Sequence, residues 1–304
     1  MGLRAPTRSS RAVRRPPESG AFVLVTPAIV LLMAFLVIPF LLAIGLSFTN
    51  QRLVSPLPLG YVGLDNYERI LGDPRFWQAL ANNVTFALIV PTAQTVLGLG
   101  LALMVNQQLR GISIFRTIYF APVVMVLAVV SVVWRLLFAQ SGMINAGIEA
   151  VVGGSFEPNW LHDPTLAFPA VMVMSIWQNV GFPMILFLAG LQAIPAELYE
   201  AARVDGANGR QLFVHITLPG LRNTLIFVLT ITVITSFLLF DQPYVMTGGG
   251  PQGATTTLML LMVQVGFTEQ RIGQASAIAF VFFVLVLAVA LIARRFGARM
   301  TEAN

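Results

Sequence analysis

The sequence predicts an all-α polytopic membrane protein with six transmembrane helices, and three observations carry that prediction. Hydrophobic residues make up 57% of the 304 and charged residues 10%, with a mean hydropathy of +0.80, so water is not this chain's main solvent. Six uncharged runs have the length that a helix needs to cross about 30 Å of hydrocarbon, roughly 20 residues each. The arginines concentrate in alternate connections between those runs, as the positive-inside rule requires when both termini are cytoplasmic.

Residues 1–20 contain Arg4, Arg8, Arg11, Arg14 and Arg15 without an apolar run, and are expected to be a disordered cytoplasmic tail. The first span, Ala21 to Gln51, is far longer than the hydrophobic core of a signal peptide, about 7–15 residues. An outer segment follows with Gly63-Leu64-Asp65-Asn66-Tyr67, where Asp65 or Asn66 is placed to cap a short amphipathic helix ending at Leu71. The second span covers Ala79 to Leu109, and Phe76-Trp77 just before it suits the headgroup level. The third covers Thr117 to Trp134, with Trp134 at the same interface. An outer loop bearing Glu149, Glu157, Trp160 and Asp163 leads to the fourth span, Pro164 to Ala196, in which Gly181 and Pro183 predict a local break or kink. Residues 195–220 form a cytoplasmic loop before the fifth span, Asn223 to Phe240.

The next stretch, Gln242 to Thr268, is also uncharged. Gly248-Gly249-Gly250-Pro251 interrupts it, and a break of that kind would set unpaired backbone against lipid, so an outer loop is predicted. Ile272 to Ala293 is the sixth span. The domain organisation is therefore one six-span domain, residues 21–295, between the first tail and a short cytoplasmic tail, residues 296–304. With the termini inside, Arg110, Arg116, Arg203, Arg210, Arg222, Arg294, Arg295 and Arg299 join the five of the first tail on the cytoplasmic side. Arg52, Arg69, Arg75, Arg135 and Arg271 remain outside, thirteen against five.

The loop of residues 195–220 carries the most specific pattern. Pro195 suits a first helical position, and Glu197 complements the positive end of the helix dipole. Leu198, Ala201, Ala202 and Asp205 fall at i, i+3, i+4 and i+7, placing two small side chains on one face where a partner can approach closely. Gly206 stands where a C-terminal cap needs positive φ, and Asn208-Gly209 signals a turn into a second amphipathic stretch. Glu200, Ala201, Ala202, Gly206, Ile216, Leu218 and Pro219 match Glu-Ala-Ala-x3-Gly-x9-Ile-x-Leu-Pro at every position, which resembles the cytoplasmic-loop signature of bacterial ABC-importer permeases.

Less specifically, Gly63 to Tyr67 and Tyr244-Val245-Met246-Thr247-Gly248-Gly249-Gly250-Pro251 look like the carbohydrate-uptake branch of those permeases. The resemblance implies a type I ABC importer transmembrane domain in the bacterial cell membrane. It implies a heterodimer with a second permease subunit, two ATP-binding subunits whose grooves accept the helix at 196–205, with Glu200, Ala201, Ala202, Asp205, Gly206, Ile216, Leu218 and Pro219 as the docking-loop residues, and an extracytoplasmic solute-binding protein. ATP and Mg would then be bound by the partner subunits, with no cofactor held by this chain. Transport of a sugar or related hydroxylated solute by alternating access is the function it implies.

Candidate path residues are polar but uncharged. Ser175, Gln178 and Asn179 share a face of the fourth span at i, i+3, i+4, and Thr232, Thr235 and Ser236 do the same in the fifth. Such stripes either line a path for a hydroxylated solute or join helices by hydrogen bonds between them. Asp241, at the end of the fifth span, is the acidic residue nearest membrane depth and reads as a further path candidate or a span-end anchor.

Several chemistries are excluded. All 18 basic residues are Arg, so neither a P-loop lysine nor a Lys Schiff base can exist here. There is no Cys, hence no thiolate chemistry and no Cys-based metal site. His162 and His215 are predicted on opposite faces, which leaves no His-pair metal site or joint catalysis. The arginines are scattered over loop ends without an aromatic platform, which disfavours nucleic acid and suits membrane lipid headgroups. The rival class is an ion-coupled secondary transporter or channel, but such coupling ordinarily uses intramembrane carboxylates, and the predicted spans contain none.

Overall fold

The computed structural model describes residues 18–54, 58–107, 111–153 and 158–302. The first-tail arginines, Arg110 and Glu157 lie outside the described residues, as do the tail's predicted disorder and most of its length. Among the described residues the fold is helical apart from one isolated antiparallel bridge, Thr49 to Tyr61. The helices are α1 (Glu18–Leu32), α2 (Ile38–Ser47), α3 (Asp65–Leu71), α4 (Pro74–Val105), α5 (Ile112–Val124), α6 (Leu127–Leu137), α7 (Met143–Val152) and α8 (Ala167–Asn179). They continue with α9 (Gly181–Gln192), α10 (Ala196–Val204), α11 (Gly209–Leu212), α12 (Leu218–Gly220), α13 (Arg222–Phe237), α14 (Asp241–Thr247), α15 (Leu258–Val263) and α16 (Ile272–Glu302).

The chain divides into two compact units, Met1–Gly45 and Leu46–Asn304. The described part of the first is helical from Glu18, with a π-turn at Met33–Val37. Among the described residues three helices are long and apolar enough to cross a membrane unaided, Leu24–Ser47, Pro74–Val105 and Ile272–Arg295. Three pairs of helices are long and apolar enough only when taken together and meet at a bend, α5 with α6 at 100°, α8 with α9 at 41°, and Gly209–Gly220 with α13 at 64°. Six spans follow if each bent pair is counted as one.

In the second unit α4 is the central strut, packing along α8, α9 and α13. Asp73 caps its first turn by accepting from the Arg75 N–H at 2.9 Å, and Pro74 at the first position sacrifices an N–H that would have no intrahelical partner. Arg116 donates to the Val105 carbonyl at 2.9 Å and so satisfies the far end. Three apolar clusters lie along the strut. One gathers Phe86, Val90, Phe168 and Met174, a second Met184, Phe187, Leu221 and Val228, and a third Ile70, Phe76, Leu258, Val265 and Ile278. The break in the fourth span falls at Val180, and Gly181 packs so tightly on the Tyr119 carbonyl that a Cβ there has no room.

Several expectations are corrected. The third span is an elbow, because Met125 and Val126 adopt extended ψ values of 146° and 121° and end one helix before the next begins. Gln242 to Thr268 is not irregular, as a loop would be, but forms α14 and α15 with a π-turn at Gln264–Thr268, and Leu258, Leu260, Leu261 and Val265 belong to the buried core. Its glycine turn is tolerable because side chains of the same segment satisfy it, while others tie the segment to the rest of the molecule. The hydroxyls of Thr255, Thr256 and Thr257 donate to the carbonyls of Gly250, Gly249 and Leu239, and Asn82 donates to those of Gly253 and Thr256. Asn83 links the segment to α13 by accepting from the Leu258 N–H at 2.8 Å and donating to the Phe237 carbonyl at 3.2 Å.

Neither Asp65 nor Asn66 caps α3, whose N-cap position is Leu64. Asn66 is buried instead and donates to the carbonyls of Ser47 and Thr49, both at 2.8 Å. Phe76 is core, not an interfacial aromatic, and only Trp77 of that pair is exposed. Trp134 packs at tilted ring angles on Phe138 and Trp177, while Trp160 rests on Phe138 and donates its Nε1–H to Asn145 at 2.7 Å.

Candidate functional site

The loop between α9 and α13 is built as the residue types dictate. Pro195 is the N-cap of α10 and not its first helical residue, with ψ 133° setting the entry of the chain. No side chain of α10 is buried, and Leu198 and Val204 are apolar yet exposed, at 51% and 88%. The helix ends in a Schellman motif. The Gly206 N–H donates to the Arg203 carbonyl and the Ala207 N–H to the Ala202 carbonyl, and Gly206 carries φ +83°. Asn208 and Gln211 then form a capping box at 3.0 and 2.8 Å that starts the returning helix.

Tyr199, which the sequence reading did not single out, ties the two arms together through a 3.0 Å hydrogen bond between its hydroxyl and that of Thr217. Ile216 and Pro219 of the motif, with Leu198 and Ile194, line a shallow cavity of about 380 Å³ at the root of the loop. Glu200, Ala201, Asp205, Gly206 and Leu218 are exposed and Ala202 is half-buried. His162 and His215 bond locally, to Asn159 and to the Gln211 carbonyl.

The polar stripes of the fourth and fifth spans converge. Ser175, Asn179, Thr232, Thr235 and Ser236 line one cavity of about 370 Å³ between α4, α8, α9 and α13. The hydroxyls of this set donate within their own helices, Ser175 to Val171, Thr232 to Val228, Thr235 to Ile231 and Ser236 to Val233, at 2.6 to 2.9 Å. The bonds that join helices come instead from amides, Gln94 to the Ser175 carbonyl at 3.0 Å and Asn83 to Phe237. Hydroxyls used in this way keep acceptor lone pairs for the cavity.

Gln178 does not line it. That side chain is 1% exposed and donates to the Met125 carbonyl at the elbow, 3.4 Å away. Asp241 does not line it either, standing exposed in the first turn of α14, and the adjacent Gln242 faces the cavity in its place. Gln94, Gln242, Phe86 and Phe182 are lining residues missed from the sequence. The signal for Gln94 was its i, i+4, i+8 relation to Phe86 and Val90, which a single amide in an apolar span does not make conspicuous. None of the lining side chains carries a charge, and no group of three or more His, Cys, Asp or Glu that could hold a metal is found among the described residues.

The profile described as binding-protein-dependent transport system inner membrane component matches residues 19–302. The chain belongs to that family. As a transport system inner membrane component it is an ABC importer permease subunit, a membrane protein and not the catalytic part of its system. It is 35% identical over 278 residues to the probable ABC transporter permease protein YurN of Bacillus subtilis, covering 90% of this chain and 94% of that one. It is 35% identical over 280 residues to the trehalose/maltose transport system permease protein MalF of Thermococcus litoralis, covering 91% and 92%. Its fold matches a chain in the crystal structure of a bacterial alginate ABC transporter in complex with an alginate pentasaccharide-bound periplasmic protein, with TM-score 0.82, 23% identity and coverage of 94% and 96%. This permease subunit thus has the fold of an importer transmembrane domain.

Proposed function

We propose that this permease carries a neutral sugar or related polyhydroxylated solute into the cytoplasm by alternating access, driven by two ATP-binding subunits that dock on α10. The observation that carries the reading is the cavity lined by Gln94, Ser175, Asn179, Thr232, Ser236 and Gln242, with Phe86 and Phe182 beside them. Neutral donors and acceptors beside aromatic faces suit hydroxyl-rich rings, and the uncharged lining offers no carboxylate for proton or sodium coupling. The name of the trehalose/maltose relative supports the same solute class.

In this reading a second permease subunit completes the path as a heterodimer, and an extracytoplasmic solute-binding protein delivers the solute. ATP and Mg belong to the docked subunits, and both termini are cytoplasmic, on the side of residues 195–220. Glu200, Ala201 and Ala202 lie on the docking helix and Asp205 and Gly206 cap its end, with Ile216, Leu218 and Pro219 in the returning arm. Closure of the ATP-binding subunits moves the loop as a rigid handle and swings the spans from inward to outward facing. A ligand shifts such an equilibrium only by binding the two states unequally, so ATP and the loaded binding protein both favour the outward state.

The test is a solute screen on the reconstituted transporter with its binding protein. Neutral sugars should stimulate ATP hydrolysis. Stimulation confined to amino acids or charged solutes would remove the solute assignment.

A further inference from the structure

Four of the five arginines predicted outside converge on one cavity. Arg52 precedes α3, Arg69 lies within it, Arg75 opens α4 and Arg271 precedes α16, yet all four line a cavity of about 470 Å³. Two carboxylates lie close by and both are engaged. Arg75 holds Asp73 at 2.8 Å and Glu269 at 2.6 Å, and the second oxygen of Glu269 stands 3.5 Å from Arg271. Arg52 and Arg69 have no ion pair among the described residues. Like charges are thus held together with an excess of positive charge, an arrangement that an anion stabilises.

The walls are fixed. Asn66 pins the carbonyls of Ser47 and Thr49 from one side, while the Gly273 N–H donates to the Gln51 carbonyl at 2.9 Å and the Leu53 N–H to that of Gln270 at 3.0 Å. The strap carrying Arg52 is therefore held against both α3 and the start of α16. Exposed apolar side chains adjoin the lining residues along the chain, Leu53 and Val54 after Arg52, Leu71 after Ile70 and Trp77 after Phe76. Trp77 turns its Nε1–H to the Leu71 carbonyl at 2.8 Å, which leaves its ring face to the surroundings. Guanidinium groups flanked in the chain by exposed apolar and indole side chains form the pattern of a headgroup-level site.

We infer that the cavity framed by Arg52, Arg69 and Arg271 binds the phosphate of an anionic phospholipid headgroup, with the adjoining exposed apolar side chains against the acyl chains. Planar guanidinium forks suit phosphate oxygens, and the anion offsets the charge excess that the protein leaves unpaired. The inference depends on the membrane location and not on the solute carried, so lipid retention and transport fail separately.

The experiment is native mass spectrometry of the full-length protein in detergent, titrated with phosphatidylglycerol or phosphatidylcholine of the same acyl chains, with inorganic phosphate as competitor. The protein should retain phosphatidylglycerol over phosphatidylcholine, and inorganic phosphate should not displace it. The double variant Arg52→Gln/Arg69→Gln should weaken that retention roughly 30-fold, about five-fold per arginine, with thermal unfolding unchanged because both side chains are exposed. Arg135→Gln, which removes the one outer arginine that does not line the cavity, should leave retention intact. Equal retention in the double variant, or an equal loss in Arg135→Gln, overturns the proposal. So does displacement by inorganic phosphate, which would make this a soluble-anion site. So does loss of binding-protein capture with lipid retention intact, which would make it a docking surface for acidic protein groups.

Discussion

The hydroxyls of Tyr199 and Thr217 meet at 3.0 Å, joining the exposed helix α10 to the arm that returns the chain to the membrane. Thr217 is buried, so the bond anchors a solvent-facing helix to the packed part of the molecule. A lever transmits force only if its arm is fixed to what it moves. Tyr199→Phe should remove that tie at a cost of about 1 kcal/mol, leave insertion unchanged, and lower uptake per ATP hydrolysed. The check is the ratio of transported solute to released phosphate in proteoliposomes.

The cavity makes a separate demand. Gln94 spends its Nε2–H on the Ser175 carbonyl and keeps its acceptor oxygen for the cavity. Gln94→Leu removes both, and Ser236→Ala removes a hydroxyl at the opposite wall. Each should raise KM for uptake about 10-fold, as expected for a lost hydrogen bond of roughly 1–2 kcal/mol, while expression and ATP-subunit association stay as they are. Concentration dependence of uptake separates this from a folding defect.

Asn83 ties two backbone groups to α4 from the interior. It is fully buried and bridges the Phe237 carbonyl and the Leu258 N–H, groups that belong to distant parts of the chain. Asn83→Ala leaves both backbone groups buried without a partner and should destabilise the protein by about 2–4 kcal/mol, at roughly 1–3 kcal/mol per orphaned group before relaxation. Asn83→Asp retains the acceptor and removes the donor. Thermal unfolding in detergent should rank wild type first, the Asp variant next and the Ala variant last.

The pair Asp73 and Arg75 carries a pH dependence. Partial burial pushes the Asp73 carboxyl up, but hydrogen bonds from Arg75 and the charges of Arg75 and Arg271 outweigh it and hold the group below the usual carboxylate range. A folded-state value below the unfolded one means the contribution is fully present above the unfolded value of 3.8 and is lost as pH falls through the folded one. The start of α4 should therefore loosen below about pH 4. In Asp73→Asn the Asp73 share of the acid-induced loss should be absent, as read from hydrogen exchange at residues 74–78.

What was legible in the sequence follows from how far each cause reaches. Long uncharged runs and alternating arginines are local signals, so the spans were visible, and Gly206 announced its positive φ because α10 ends there whatever surrounds it. The helical segment at 242–268 was not visible. The carbonyls of its glycine turn are met by Thr255, Thr256 and Gln264, but the segment is tied to the rest of the molecule by Asn82 and Asn83, more than 170 positions away in sequence, and nothing local announces those bonds. The elbow at Met125 was hidden for a similar reason, since Gln178 supports its carbonyl from another helix. At the cavity, paired polar residues on one helix face were conspicuous, whereas Gln94 and Gln242 act singly. Asp241 drew attention by its charge, although the neighbouring neutral side chain is the one turned inward.

The central claim is that α10 is a handle through which a separate ATPase works the gate. Its most direct measurement is ATP-driven uptake by proteoliposomes containing the assembled transporter with Gly206→Val or Glu200→Lys in this chain. A β-branched residue at φ +83° disrupts the Schellman cap, and a lysine reverses the charge of the exposed face, yet neither touches a span. The account predicts normal membrane insertion with uptake and co-purification of the ATP-binding subunits both abolished. Normal ATP-driven transport in either variant would contradict it.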